Sequence, residues 1–167
     1  MDNFRFENFV EHWAEIYKPM QHMPGERSKN KRFFLTDTYL GLSDFMINVG
    51  VRQSPCVIME SDVEGTFANG LDQPQYTLYF MVRASETQSG FASREAKLEA
   101  KAHAKKFLAY LRDCQDKGDQ DLQRINLDER MGYQTIGPLY NGWYGVYITI
   151  DDVQQYTLCV DKNDYTE

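Results

Sequence analysis

The sequence predicts an α+β fold: about five strands in a mostly antiparallel sheet, packed by one long helix, with an amphipathic helix at the amino terminus. Three observations carry that prediction. Within 92–114, Ala96, Ala100, Ala104, Phe107, Leu111 and Cys114 share one side of a 3.6-residue period. Tyr76, Leu78, Phe80 and Val82 alternate with Thr77, Tyr79, Met81 and Arg83, the two-residue period of a strand. Asn141-Gly142 then precedes a second alternating run, Tyr144, Val146, Ile148 and Ile150 against Trp143, Gly145, Tyr147 and Thr149.

In the long helix the three alanines let the backbone approach a sheet closely, and Phe107, Leu111 and Cys114 fill the space where the two diverge. Gly118 is placed as a C′ stop and Lys117 sits at the negative end of the helix dipole. Near the amino terminus, Asn3 or Asp2 is placed to cap a helix running to about Lys18. Its stripe is Phe6, Phe9, Val10, Trp13, Ile16, Tyr17 and Met20, with Glu7, Glu11 and Glu15 opposite, and Pro19 ends it.

From 21 to 32 the chain turns polar, with Pro24-Gly25 as a turn signal. Arg27, Lys29, Lys31 and Arg32 outweigh Glu26, leaving three surplus positive charges in an acidic protein. This segment reads either as a solvated loop or as an arm reaching an acidic neighbour. Phe33, Phe34 and Leu35 follow, and Thr36 is placed to cap a second helix bearing Tyr39, Leu42, Phe45, Met46 and Val49, stopped by Gly50. Ser54-Pro55 announces a strand over 56–60, and 61–73 reads as a long exposed loop. Glu60, Asp62, Glu64 and Gly65 imitate the start of a calcium loop, but its closing position holds Leu71, which argues against metal.

After the long helix, 119–130 is charged, with Leu122, Ile125 and Leu127 as anchors. An extended segment over 133–136 meets Gly137-Pro138, which breaks or bends it. Asp151-Asp152 is expected to turn the chain into a last strand with Tyr156, Leu158 and Val160 inward, followed by a loose acidic tail. The expected order is helix, helix, strand, strand, long helix and three strands in a single domain over 1–167, with flexible loops near 21–32 and 61–73.

Composition bounds the function. With 42% apolar and 14% aromatic residues over 167 positions, one packed core is expected rather than disorder. A net charge of −7 argues against general or sequence-specific nucleic-acid binding, which needs a basic surface to neutralise phosphates. Cys56, Cys114 and Cys159 show no paired spacing and read as reduced thiols of an intracellular product, at least two of them buried. No run approaches the length of a membrane span and the amino terminus is unlike a signal peptide, so a soluble protein with no membrane role is expected.

No catalytic signature stands out. His12, His22 and His103 lack a second ligand at metal spacing, and His103 at the edge of the buried stripe reads as a core histidine. Asp151 and Asp152, neighbours on the chain, are placed to shape a turn rather than to share a substrate. The expectation is a non-enzyme with no cofactor, metal or catalytic residue. The sheet's reverse face would show Thr77, Tyr79, Met81, Trp143, Tyr147 and Thr149, uncharged side chains that need a cover. That cover is either the amino-terminal helix or another protein, since Tyr, Trp and Met are enriched at interfaces. Leu98 faces away from the helix's own core. The candidate interface is therefore Arg27, Lys29, Lys31, Arg32, Tyr79, Met81, Leu98, Trp143 and Tyr147.

The order of elements and a few strings resemble a known family. The strings are Pro55-Cys56-Val57-Ile58-Met59-Glu60, a strand ending near Arg83, the Ala/Lys-rich helix, Tyr140-Asn141-Gly142-Trp143-Tyr144-Gly145-Val146 and Cys159-Val160-Asp161. Over roughly 6–164 the chain resembles small phage and prophage proteins of the tail-terminator and tail-completion kind. The resemblance implies a virion structural protein, made in the host cytoplasm, that forms a ring, commonly hexameric, at the head-proximal end of a tail. Its partners would be copies of itself, the tail tube and the neck. The longer 61–73 segment departs from compact versions of that pattern. Three rivals stand beside it: another head–tail connector or tail-tube subunit, a cytoplasmic small-ligand-binding α+β module with an aromatic pocket around Trp143 and Tyr147, and a host-directed phage protein.

Overall fold

A computed structural model describes residues 5–25, 29–36, 39–60, 64–68, 71–84, 90–127 and 131–155. Among the described residues the α-helices are α1 (Phe6–Ile16), α2 (Tyr39–Asn48) and α3 (Gly90–Asp116). The strands are β1 (Phe33–Thr36), β2 (Cys56–Glu60), β3 (Glu64–Ala68), β4 (Leu71–Arg83), β5 (Ile125–Asn126), β6 (Tyr133–Leu139), β7 (Trp143–Asp152) and β8 (Gln154–Gln155). One open sheet runs β1-β2-β4-β7-β5, with β3 and β8 added along β4 and β6 along β7. The α+β class holds. The sheet, however, has eight described strands rather than about five, and it is mixed, because β1 and β2 are parallel while the other pairs are antiparallel.

The alternation seen in the sequence is the pleat of β4 and β7. Leu78 pairs with Ile148, Phe80 with Val146 and Val82 with Tyr144, so these six side chains share one face. Against them lie Ala96, Ala100, Ala104, Phe107 and Leu111 of α3, all buried. The end of α3 is a Schellman motif. Asp119 N–H donates to Cys114 O at 3.2 Å and Gly118 N–H to Gln115 O at 2.9 Å, with Gly118 at φ +87°. The Asn141-Gly142 turn also forms as expected, with φ +59° and +75° joining β6 to β7.

Helix α1 lies beside α3 on this same face and does not roof the reverse one. Trp13 meets the ring of Phe107 at 5.2 Å and that of Phe80 at 6.0 Å, and Phe6 stacks on Tyr76 at 4.6 Å. Its N-cap is Arg5 with no side-chain cap bond; Asn3 and Asp2 lie outside the described residues. Ile16, expected in the apolar stripe, is half exposed.

The reverse face belongs to α2. Leu42, Met46 and Val49 cover Cys56, Ile58, Tyr79, Met81 and Trp143, joined by Phe34 and Ile136. The hydrophobic residues before α2 are strand β1, so Thr36 sits in a strand rather than capping the helix.

Two further expectations fail for one reason, the reach of the strands beyond the core. The 61–73 segment is not simply a loop: 64–68 pairs antiparallel with 71–75 as a β-hairpin, with Phe67 opposite Asp72. Asp151 and Asp152 are not a turn either, since β7 runs through both and pairs with Ile125 and Asn126. The last strand placed over 156–160 lies outside the described residues, as do the tail and Cys159.

Candidate interaction surface

The residues singled out from the sequence fall into three groups. Tyr79, Met81 and Trp143 are at most 2% exposed, because α2 packs on them. Their expected place on an open interface is corrected: they are core. Tyr79 O–H also donates to the Glu60 carboxylate, which satisfies the polar end of a buried ring.

Tyr147 stays half-buried beyond the end of α2, its ring 5.6 Å from Tyr79. Around it the reverse face continues through Thr77, Thr149 and Gln134, placed together by the β4–β7 and β6–β7 registers. These side chains carry no charge yet bear groups able to hydrogen-bond with water, so this half of the face tolerates solvent while still offering an uncharged surface. Gly132, Tyr133, Gln134, Tyr147 and Thr149 line a shallow hollow there.

The basic segment is split. Lys29 is exposed, whereas Lys31 is half-buried with its ammonium 5.4 Å from the Phe34 ring centre. Arg32 is half-buried, its Nη1 donates to Pro55 O at 3.4 Å, and burial lowers its pKa. Two of the four cations thus stabilise the β1–β2 edge instead of reaching outward. Arg27 lies outside the described residues.

What shapes this segment is His22, to which the sequence reading gave no role. Its Nδ1 accepts from Arg32 N–H at 2.8 Å and Phe33 N–H at 3.3 Å. With Nδ1 an acceptor, the ring proton is on Nε2, which donates to Glu11 at 3.1 Å. A lone histidine in a polar stretch carries no periodic signal, so only the tertiary structure reveals this clamp between α1 and β1.

His103 is the core histidine expected. Its Nδ1 is 2.9 Å from Tyr17 Oη and its Nε2 3.4 Å from Glu99. Burial lowers its pKa, with Glu99 opposing. Burial also pushes the Cys56 thiol up to about 12, partly offset by Arg32, whereas Cys114 is half-buried; Cys159, the third thiol, lies outside the described residues.

On α3, Leu98 is 52% exposed and Phe91 74% exposed, seven residues apart on the outward ridge. Beside that ridge α3, β6 and β7 enclose a cleft of about 300 Å³ between Lys101, Lys105, Leu108, Met131, Tyr133 and Ile148. Lys101 donates to Tyr133 Oη and lies 4.1 Å from the ring centre, which lowers the Tyr133 pKa. Among the described residues no group of three His, Cys, Asp or Glu side chains converges as a metal site. No helix described is long and apolar enough to cross a membrane.

A scan against models of known protein families and a search among curated proteins each return no match for this chain.

Proposed function

We propose that this chain is a virion structural protein that assembles with copies of itself into a ring at the head-proximal end of a phage tail, ending the tube and joining it to the neck. It works by binding, without turnover, and its place is the virion after synthesis in the host cytoplasm. One observation carries the reading beyond the resemblance in element order: the sheet is roofed unequally. Among the described residues, helices α1 and α3 cover one face, while α2 covers the other around Cys56, Tyr79, Met81 and Trp143. The uncharged remainder at Thr77, Gln134, Tyr147 and Thr149, the β3–β4 hairpin and the outward ridge at Phe91 and Leu98 are surfaces to offer other protein.

Deleting the coding frame from its phage and imaging the particles tests this. Overlong or headless tails are expected. Normal tails on filled heads would remove the terminator role, and tubeless particles would favour a tail-tube subunit.

A second reading, a cytoplasmic module for a small ligand, draws on the cleft between α3 and β6. At about 300 Å³ it lies at the lower bound of small-molecule sites. A monomer whose melting temperature rises with an added small apolar carboxylate would favour it over the ring.

A further inference from the structure

The cleft and the hairpin lie at opposite edges of the sheet and have complementary chemistry. The hairpin is an acidic arm: over 64–75 it holds Glu64 and Asp72 and no Lys or Arg. Phe67, directly opposite Asp72 in the register, is 75% exposed. Because paired residues share a face, and Asp72 is in phase with Tyr76, Leu78 and Phe80, Phe67 points to the α3 side of the sheet.

The cleft has the opposite character. Its floor is apolar, from Leu108, Met131 and Ile148, and Lys101 and Lys105 stand at its rim. Over 90–109 α3 carries five basic residues against two acidic, in a chain whose net charge is −7. The space of about 300 Å³ accommodates one aromatic side chain.

Within one chain the two cannot meet. The order β3-β4-β7-β6 puts two strands between the arm and the Tyr133 edge, about 14 Å at ordinary strand spacing, and α3 lies over that span. We propose that the β3–β4 arm of one copy seats Phe67 in the α3–β6 cleft of the next copy, with Asp72 directed at the Lys101/Lys105 rim. Two unlike patches in contact make a head-to-tail interface, which closes into a ring when the rotation allows. The charges steer and set register, while the buried aromatic supplies the larger part of the affinity. This inference rests on the ring reading for the presence of a neighbouring copy, and names the surfaces that meet.

Crosslinking between two distinguishable chains tests it, in a Cys114→Ser, Cys159→Ser background. One chain carries Thr66→Cys, exposed beside Phe67; the other, longer by a tag, carries Gly132→Cys, where an added Cβ meets nothing within 4 Å. A short bismaleimide is expected to join one of each. Phe67→Ala in the first chain or Leu108→Glu in the second should cut the yield about tenfold, ~1.4 kcal/mol in affinity, with circular dichroism unchanged. No mixed adduct at the highest soluble concentration, like-with-like adducts as abundant as mixed ones, or a yield indifferent to Phe67 would overturn the contact. The two proposals fail separately. Overlong tails on deletion without this adduct keep the tail role and remove the contact, and the adduct with normal tails does the reverse.

Discussion

Arg124 Nε lies 3.0 Å from Asp152 Oδ1, and the Asp152 side chain has no exposed surface while that of Arg124 keeps 31%. The pair ties the charged connection after α3 to the end of strand β7, where Ile125 pairs with Asp152. Tyr76 O–H donates to the other carboxylate oxygen at 3.3 Å, so a residue of β4 completes the arrangement. The adjacent Asp151 points the other way and accepts from Gln75 Nε2 at 2.8 Å. The two acids therefore do not converge.

Removing one partner leaves a buried charge without its main counterion. Arg124→Ala is expected to cost on the order of 3 kcal/mol in urea unfolding, and Tyr76→Phe about 1 kcal/mol. Arg124→Ala equal to wild type would mean that water already screens the pair.

Gly145 is held by proximity rather than by backbone conformation. A Cβ there would lie 2.5 Å from Phe80 O and 2.5 Å from Met81 Sδ. The methionine can move, but the β4 backbone cannot without opening its pairing with β7. Gly145→Ala should destabilise by about 1–3 kcal/mol, read from the denaturation midpoint. Gly132→Ala, with open space around it, serves as the control and should be neutral.

His103 makes stability depend on pH in a defined direction. Burial holds its folded pKa below the ordinary value of about 6.5, so the unfolded chain takes the proton first. The stability of the neutral, buried ring is present above that value and is lost as pH falls through the folded pKa. Tyr17, which caps the end of α1, and Glu99 on α3 are the polar groups facing it among the described residues. Melting temperature should fall from pH 7 to pH 5, at most about 1.4 kcal/mol per pH unit for this one proton. His103→Gln should flatten the profile and Glu99→Gln steepen it; profiles parallel to wild type in both would exclude the assignment.

The basic segment separates assembly from folding. Lys29→Glu, at an exposed position, should leave the melting temperature unchanged, whereas Arg32→Glu should lower it by placing a carboxylate near Pro55 O at the edge of the β1–β2 pair. Weakened self-association in Lys29→Glu alone would give this segment a part in the interface. Unaltered association would leave it a solvated loop.

Local chemistry made much of the fold legible. The β4 and β7 alternation, the alanine face of α3, the Gly118 stop and the Asn141-Gly142 turn each form as read, because each depends on neighbours within a few residues. The β3–β4 hairpin carried the same kind of signal, since the two residues between Ala68 and Leu71 are Asn-Gly. The run of glycines and acids around it masked the strand pattern. Strand β1 was missed because four residues are too few to show a period.

The sequence by itself determined which side of each element is apolar and that the sheet has two faces to cover. Which helix covers which face was decided only in three dimensions. Trp13 and Phe6 fit among Phe80, Phe107 and Tyr76, placing α1 with α3, and this leaves α2 to bury Tyr79, Met81 and Trp143. Apolar periodicity fixes the direction of a side chain relative to its own backbone. The partner it meets depends on shape complementarity between segments far apart in the chain, which no local pattern encodes.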